Sequence, residues 1–210
     1  KPMILVDQTG ETGLRTFVKF NNLEVGDEVD YTMADVVESQ VRRLLSVTVS
    51  GEVDGHEVDE TLYADDELIK RWGLWEQFQG VIETIRGTAS LRDAIGSPID
   101  FLRTELEKAG YTGVELTGRT LYLKNVDGKW ILTRRTAEEK NLVANLARFN
   151  NGEDDFAIMN QAAATGLSAH SHVSTGRDFR RRRFFILDAG QKVDTMVQAF
   201  GRPNRFGQYN

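Results

Sequence analysis

Ser97-Pro98-Ile99-Asp100-Phe101-Leu102-Arg103-Thr104-Glu105-Leu106-Glu107-Lys108-Ala109-Gly110, followed by Val114-Glu115-Leu116-Thr117-Gly118-Arg119, decides the fold class. Ser97 is an N-cap residue type, and Pro98 at the first helical position has the φ a helix needs. Asp100 falls in the first turn, where a carboxylate complements the helix dipole. Ile99, Leu102, Leu106 and Ala109 form one apolar stripe, and Gly110 closes the helix. Val114-Glu115-Leu116 is then a short strand that ends in the polar turn Thr117-Gly118-Arg119. Helix, strand and polar loop in that order are the working unit of an α/β sheet.

The same unit recurs on both sides. Pro2–Val6 reads as a strand, Asp7-Gln8-Thr9-Gly10 as a turn, and Thr12–Phe20 as a helix with Leu14, Phe17 and Val18 on one face. Downstream, Leu121–Leu132 predicts a hairpin turning at Asp127-Gly128. Thr136–Phe149 predicts a helix with Leu142, Leu146 and Phe149 aligned, broken by Asn150-Asn151-Gly152. Asp155–Met159 and Arg183–Leu187 read as strands, and Lys192–Phe200 as a last helix. Strands spaced by helices predict a mainly parallel sheet with right-handed crossovers and functional loops at the strands' carboxyl ends.

Residues 21–95 differ in kind and predict a largely helical insertion within a single domain of residues 1–210. Ala34–Leu45 and Glu67–Ile85 carry helical periodicity, Val47-Thr48-Val49 is a strand candidate, and Gly51–Asp66 is acidic and turn-rich. Trp72, Trp75 and Phe78 suit helix packing better than base stacking.

A chain of 210 residues with 40% hydrophobic composition can bury one good core. No run of 18 apolar residues or secretory signal occurs in the sequence, and there is no cysteine. A cytoplasmic setting, or the nucleus of a eukaryote, is expected. The net charge is −6, so any nucleic-acid contact must come from local basic groups. The order begins at Lys1 and stops just past an arginine motif, which suggests a piece of a longer protein.

Three loops that follow strands pair a hydroxyl with a glycine: Gln8-Thr9-Gly10, Thr117-Gly118-Arg119 and Ala164-Thr165-Gly166-Leu167-Ser168. Hydroxyls and open backbone N–H groups suit a phosphate backbone. Gln198-Ala199-Phe200-Gly201-Arg202-Pro203-Asn204-Arg205 sets two arginines three residues apart beside a glycine, and arginine forks fit phosphate oxygens. For Arg180-Arg181-Arg182-Arg183, a solvated loop and a phosphate-tracking patch both fit. His170 and His172 have no third ligand group near them, so no metal site is expected.

Read together, these motifs resemble strawberry-notch-like helicases of superfamily 2. The resemblance rests on Gly96-Ser97-Pro98-Ile99-Asp100, Ala109-Gly110-Tyr111, Glu115-Leu116-Thr117-Gly118-Arg119, Phe149-Asn150-Asn151-Gly152, Asn160 to His170, and the Q-x-x-G-R-x-x-R motif of residues 198–205. It implies a RecA-like lobe, the second of two. In that family pattern Arg202 and Arg205 act as arginine fingers on the γ-phosphate of ATP, and Gln198, Gly201 and Ser168 lie on the nucleotide. Gln8, Thr9, Thr117, Gly118, Arg119, Thr165, Gly166, Arg181 and Arg182 would grip DNA, with RNA as the other candidate. This sequence departs from the pattern at Ala163-Ala164, where relatives carry Gly-Ser, and at Pro203, which ends the last helix.

No G-x-x-x-x-G-K-[ST] phosphate loop occurs in the 210 residues. The implied ATP and Mg²⁺ would therefore be held mainly by an N-terminal RecA-like lobe of the same parent protein. The expected function is the C-terminal motor lobe of an ATP-dependent DNA helicase or translocase, inactive as a hydrolase alone. The alternative is a non-catalytic helicase-like module in a phage or defence assembly.

Overall fold

A computed structural model of the chain describes residues 1–6, 9–53, 56–160, 180 and 182–186. Asp30–Gly96 forms one compact unit, and the described chain on either side of it forms another.

The larger unit is built on β1 (Pro2–Val6), β4 (Gly113–Leu116), β7 (Phe156–Asn160) and β8 (Arg183–Ile186). They form one sheet in the order β4-β7-β1-β8, and every pairing is parallel. Leu116 lies beside Met159, Met159 beside Leu5, and Leu5 beside Ile186. One row of residues thus crosses all four strands near their carboxyl ends. The α/β class with a parallel central sheet is as the sequence predicts.

Alternation along each strand divides the core into two layers. Met3, Leu5, Val114, Leu116, Ala157 and Met159 face one side, where Phe149, Leu142 and Leu146 of α7 (Leu142–Asn151) cover them. Ile4, Val6, Phe156 and Ile158 face the other, where Ile99, Leu102 and Leu106 of α6 (Pro98–Lys108) pack. The apolar stripe of α6 is therefore the predicted one, apart from Ala109, which is exposed at the helix end. Gly110 follows at φ 85°, the left-handed conformation that ends the helix. Gly113 is fixed by packing, because a Cβ there would land inside the Phe156 ring.

Two local readings change. The helix expected from Thr136 begins at Leu142. Thr136 and Glu139 close a separate turn, with the Thr136 N–H donating to Glu139 Oε2 at 2.7 Å. Asn141 then caps α7 by accepting from the Ala144 N–H at 3.1 Å. The hairpin β5 (Leu121–Val126) and β6 (Lys129–Arg134) turns at Asp127-Gly128 as predicted, with both residues at positive φ. Chain preceding the second unit also pairs with this hairpin: the Val29 N–H donates to Trp130 O at 2.8 Å. The second unit therefore starts at Asp30, later than the expected residue 21.

That unit contains α2 (Met33–Leu44), β2 (Ser46–Val53), β3 (His56–Tyr63), α3 (Asp66–Arg71), α4 (Trp75–Gly87) and α5 (Ala89–Arg92). Its core joins Ala34, Ala64, Ile69, Phe78, Ile82 and Ile85. Phe78 is buried and lies 6.0 Å from Trp75, so this aromatic pair is packing, as expected. The acidic stretch read as turn-rich is largely strand: β3 pairs antiparallel with β2 along its whole length. No helix among the described residues is long and apolar enough to cross a membrane.

Candidate nucleic-acid interface

The all-parallel sheet sends the loops after β1 and β4 out at one edge. Thr9-Gly10 follows β1 and leads into α1 (Glu11–Phe20), with Gly10 at φ 70° as its N-cap. Thr117-Gly118-Arg119 follows β4 and leads into β5. Side chains from both directions hold that second loop.

Arg135, just past β6, spreads its guanidinium over the loop's main chain. Its Nη1 donates to Thr117 O at 3.0 Å and Arg119 O at 3.3 Å, and its Nη2 to Glu115 O at 3.0 Å. It also bonds Glu139 O, tying in the turn before α7. Arg119 points inward. Its Nη2 donates to Asp100 Oδ1 at 2.6 Å and its Nε to Glu115 Oε1 at 2.5 Å. Arg103 bonds the same two carboxylates at 3.1 and 3.4 Å. Asp100 further accepts from the Ser97 hydroxyl at 2.6 Å and the Leu123 N–H at 2.8 Å. Thr117 is itself buried, with its hydroxyl on Glu115 Oε1. Gly118 alone of the three is exposed, with open space where a Cβ would sit.

Partners of opposite charge offset the cost of burial at Glu115 and Arg119. Burial works against the Glu115 carboxylate, but the hydrogen bond from Arg119 and the fields of Arg119, Arg103 and Arg135 hold it well below the usual carboxylate range. Burial likewise works against the Arg119 cation, and its bonds to Glu115 and the charge of Asp100 outweigh that cost. Arg135 has fewer carboxylates to itself, and burial with Arg119 and Arg103 nearby lowers it. A buried cluster of this kind fixes geometry, since every member loses heavily if one partner leaves.

Two expected phosphate contacts are thereby corrected. Arg119 has its side chain 1% exposed and its donors spent on carboxylates. Arg182 is buried, with its guanidinium 4.6 Å from the Phe149 ring centre. It also stands at the other end of the sheet, because Arg183 pairs with Pro2 where β1 begins. Its neighbour Arg180 reaches Asp155 at 3.3 Å. Thr9 and Gly118 lie at the carboxyl edge, and Thr117 follows β4 there but is buried, with its hydroxyl taken by Glu115. Gln8, Thr165, Gly166, Ser168, Arg181, Gln198, Gly201, Arg202 and Arg205 lie outside the described residues, as do His170 and His172. Among the described residues no cluster of three or more acidic or histidine side chains could hold a metal.

Sequence reasoning missed Glu115, Arg103 and Arg135 as a cluster and read Asp100 only as a dipole partner. The i, i+3 spacing of Asp100 and Arg103 is a weak signal for it. Nothing in the sequence pairs either with Arg135.

Residues 100–210 match the family described as the C-terminal domain on Strawberry notch homologue, a helicase C-terminal domain family. Over 101 residues the chain is 33% identical to Protein strawberry notch of Drosophila melanogaster, a match covering 46% of this chain and 6% of that protein. No solved structure matches the chain. The family match takes in more than half of the residues and includes β4, the Thr117-Gly118 loop and its buried charges, so the chain belongs to the family of Strawberry notch C-terminal domains.

Proposed function

We propose that this chain is the C-terminal motor lobe of an ATP-dependent DNA helicase or translocase of superfamily 2. The observation that carries the reading is the carboxyl edge of the sheet. There a helicase C-terminal domain presents Thr9-Gly10 and Gly118 from the loops after β1 and β4, on either side of β7 in an all-parallel sheet, the place where α/β folds bind ligands. In this proposal Gly118, Thr9, Thr165 and Gly166 follow one strand's phosphates. Gln198 and Gly201 border the nucleotide, and Arg202 and Arg205 place their forks on the charge that develops as phosphoryl transfer proceeds. A first lobe of the parent protein holds ATP and Mg²⁺. Opening and closing of the two lobes moves the strand.

The test is DNA-stimulated ATPase activity of the parent protein. Arg205→Lys keeps the charge and loses the planar fork, so kcat should fall by about 10³ or more while ATP binding and thermal stability hold. A rate within about twofold of the unsubstituted enzyme removes Arg205 from the mechanism, since an exposed arginine contributes little else.

A second reading, a helicase-like module without catalysis, draws support from Ala163-Ala164, the net charge of −6, and the inward placement of Arg119 and Arg182. A parent that binds DNA yet shows no DNA-stimulated hydrolysis would favour it.

A further inference from the structure

The loop that follows β4 lacks an exposed arginine of its own. Arg119 and Arg135 are 1% and 2% exposed at their side chains, and Arg103, at 17%, is spent on Asp100 and Glu115. The cation that reaches this loop from outside is Arg15, on the second turn of α1, with its side chain 51% exposed. Its Nη2 bonds the Thr120 hydroxyl, one residue past Arg119. Its Nη1 has no partner among the described residues.

Glu11 holds that arrangement together. It opens α1 directly after Thr9-Gly10, and its Oε1 accepts from the Thr120 N–H at 2.8 Å, the Thr120 hydroxyl at 2.8 Å and the Leu121 N–H at 3.0 Å. The same oxygen receives Arg15 Nε at 3.0 Å and Nη2 at 2.7 Å. Partial burial opposes its charge, and these bonds outweigh the burial and keep its carboxyl below the ordinary value. One carboxylate oxygen therefore joins the loop after β1 to the loop after β4, across the intervening strand β7, and orients an arginine between them.

We propose that Arg15 is a phosphate-binding residue for single-stranded nucleic acid at this edge, in the place the sequence assigned to Arg119, and that Glu11 is its positioning residue. The geometry suits a backbone contact, with a half-exposed guanidinium beside the exposed main chain of Gly118 and the start of α1. The inference rests on the proposed nucleic-acid-binding function and specifies its contact.

The experiment titrates the 210-residue chain with a labelled oligothymidylate at several salt concentrations, with melting curves for every variant. Arg15→Ala should weaken binding about tenfold. It should also flatten the slope of log K against log salt by about 0.7, the value for one phosphate on a single strand. Lys19→Ala removes the same charge one turn further along α1 and should stay within about twofold. Arg15→Lys should fall between, because it retains the charge without the fork. Glu11→Gln separates positioning from simple electrostatics. Removing a negative charge should by itself tighten binding to a polyanion, whereas loss of the held geometry weakens it about threefold or more. Arg15→Ala indistinguishable from Lys19→Ala overturns the role of Arg15, and tighter binding by Glu11→Gln overturns the role of Glu11. Absence of any binding by the unsubstituted chain overturns the nucleic-acid reading itself and this inference with it.

Discussion

Arg119 and Asp100 meet as two parallel hydrogen bonds, Nη2 to Oδ1 at 2.6 Å and Nη1 to Oδ2 at 3.1 Å, with side chains 1% and 0% exposed. The pair fastens the loop after β4 to the first turn of α6. A bidentate pair in a buried site is geometrically exacting, and removing one partner strands the other's charge. Arg119→Met should therefore cost about 3–5 kcal/mol of unfolding free energy, read from urea denaturation. Arg119→Lys should also lose stability, because an ammonium cannot serve both carboxylates in one plane. A loss under about 0.5 kcal/mol, the size of a surface substitution, would contradict the buried placement.

Acid should act through Glu115. Its folded pKa is depressed, so the unfolded state takes up the proton first as pH falls. The stability this group contributes is full above its unfolded value, about 4.3, and is lost as pH drops from there through the depressed folded pKa. Comparing urea midpoints of the unsubstituted chain and Glu115→Gln should show a gap that is constant from about pH 7 to 5 and narrows below about 4. A gap that ignores pH would mean that the carboxylate is not ionised inside the cluster.

The glycine that opens β4 and the glycine two residues past its end should respond oppositely to alanine. A Cβ at Gly113 would occupy the position of the Phe156 ring, and overpacking of this kind costs about 1–3 kcal/mol or more. A Cβ at Gly118 meets nothing within 4 Å, and that position has no left-handed φ. Gly118→Ala should leave the denaturation midpoint within about 0.5 kcal/mol of the unsubstituted chain. Any weakening of oligonucleotide binding by Gly118→Ala would then report the loop's contact with a strand, free of a folding defect.

The arginine run at the start of β8 should prove structural at Arg182. Two cations stand over the Phe149 ring, Lys1 at 4.1 Å from its centre and Arg182 at 4.6 Å. Desolvated cation–π contacts are worth about 2 kcal/mol. Arg182→Gln should lower stability by about that amount and leave the salt slope of oligonucleotide binding unchanged. A flattened slope with intact stability would return Arg182 to the phosphate-binding surface.

The local elements were legible in the residue order because short-range chemistry governs them. Pro98 starts α6 and Gly110 at positive φ ends it, Asp127-Gly128 turns the β5–β6 hairpin, and continuous apolar runs mark β1 and β7 as strands buried on both faces. Recurrence of helix, strand and polar loop likewise sufficed for the parallel α/β class. Tertiary structure decided the strand order β4-β7-β1-β8 and, with it, which loops share an edge. It also decided the fate of each arginine. Arg119 finds Asp100 nineteen positions away and turns inward, while Arg15 finds Thr120 across 105 positions and stays at the surface. An arginine's type and its neighbours in sequence are the same whether it meets a carboxylate or a phosphate. The choice depends on which distant side chains the packed sheet brings within about 3 Å of its fork, and no local pattern contains that distance.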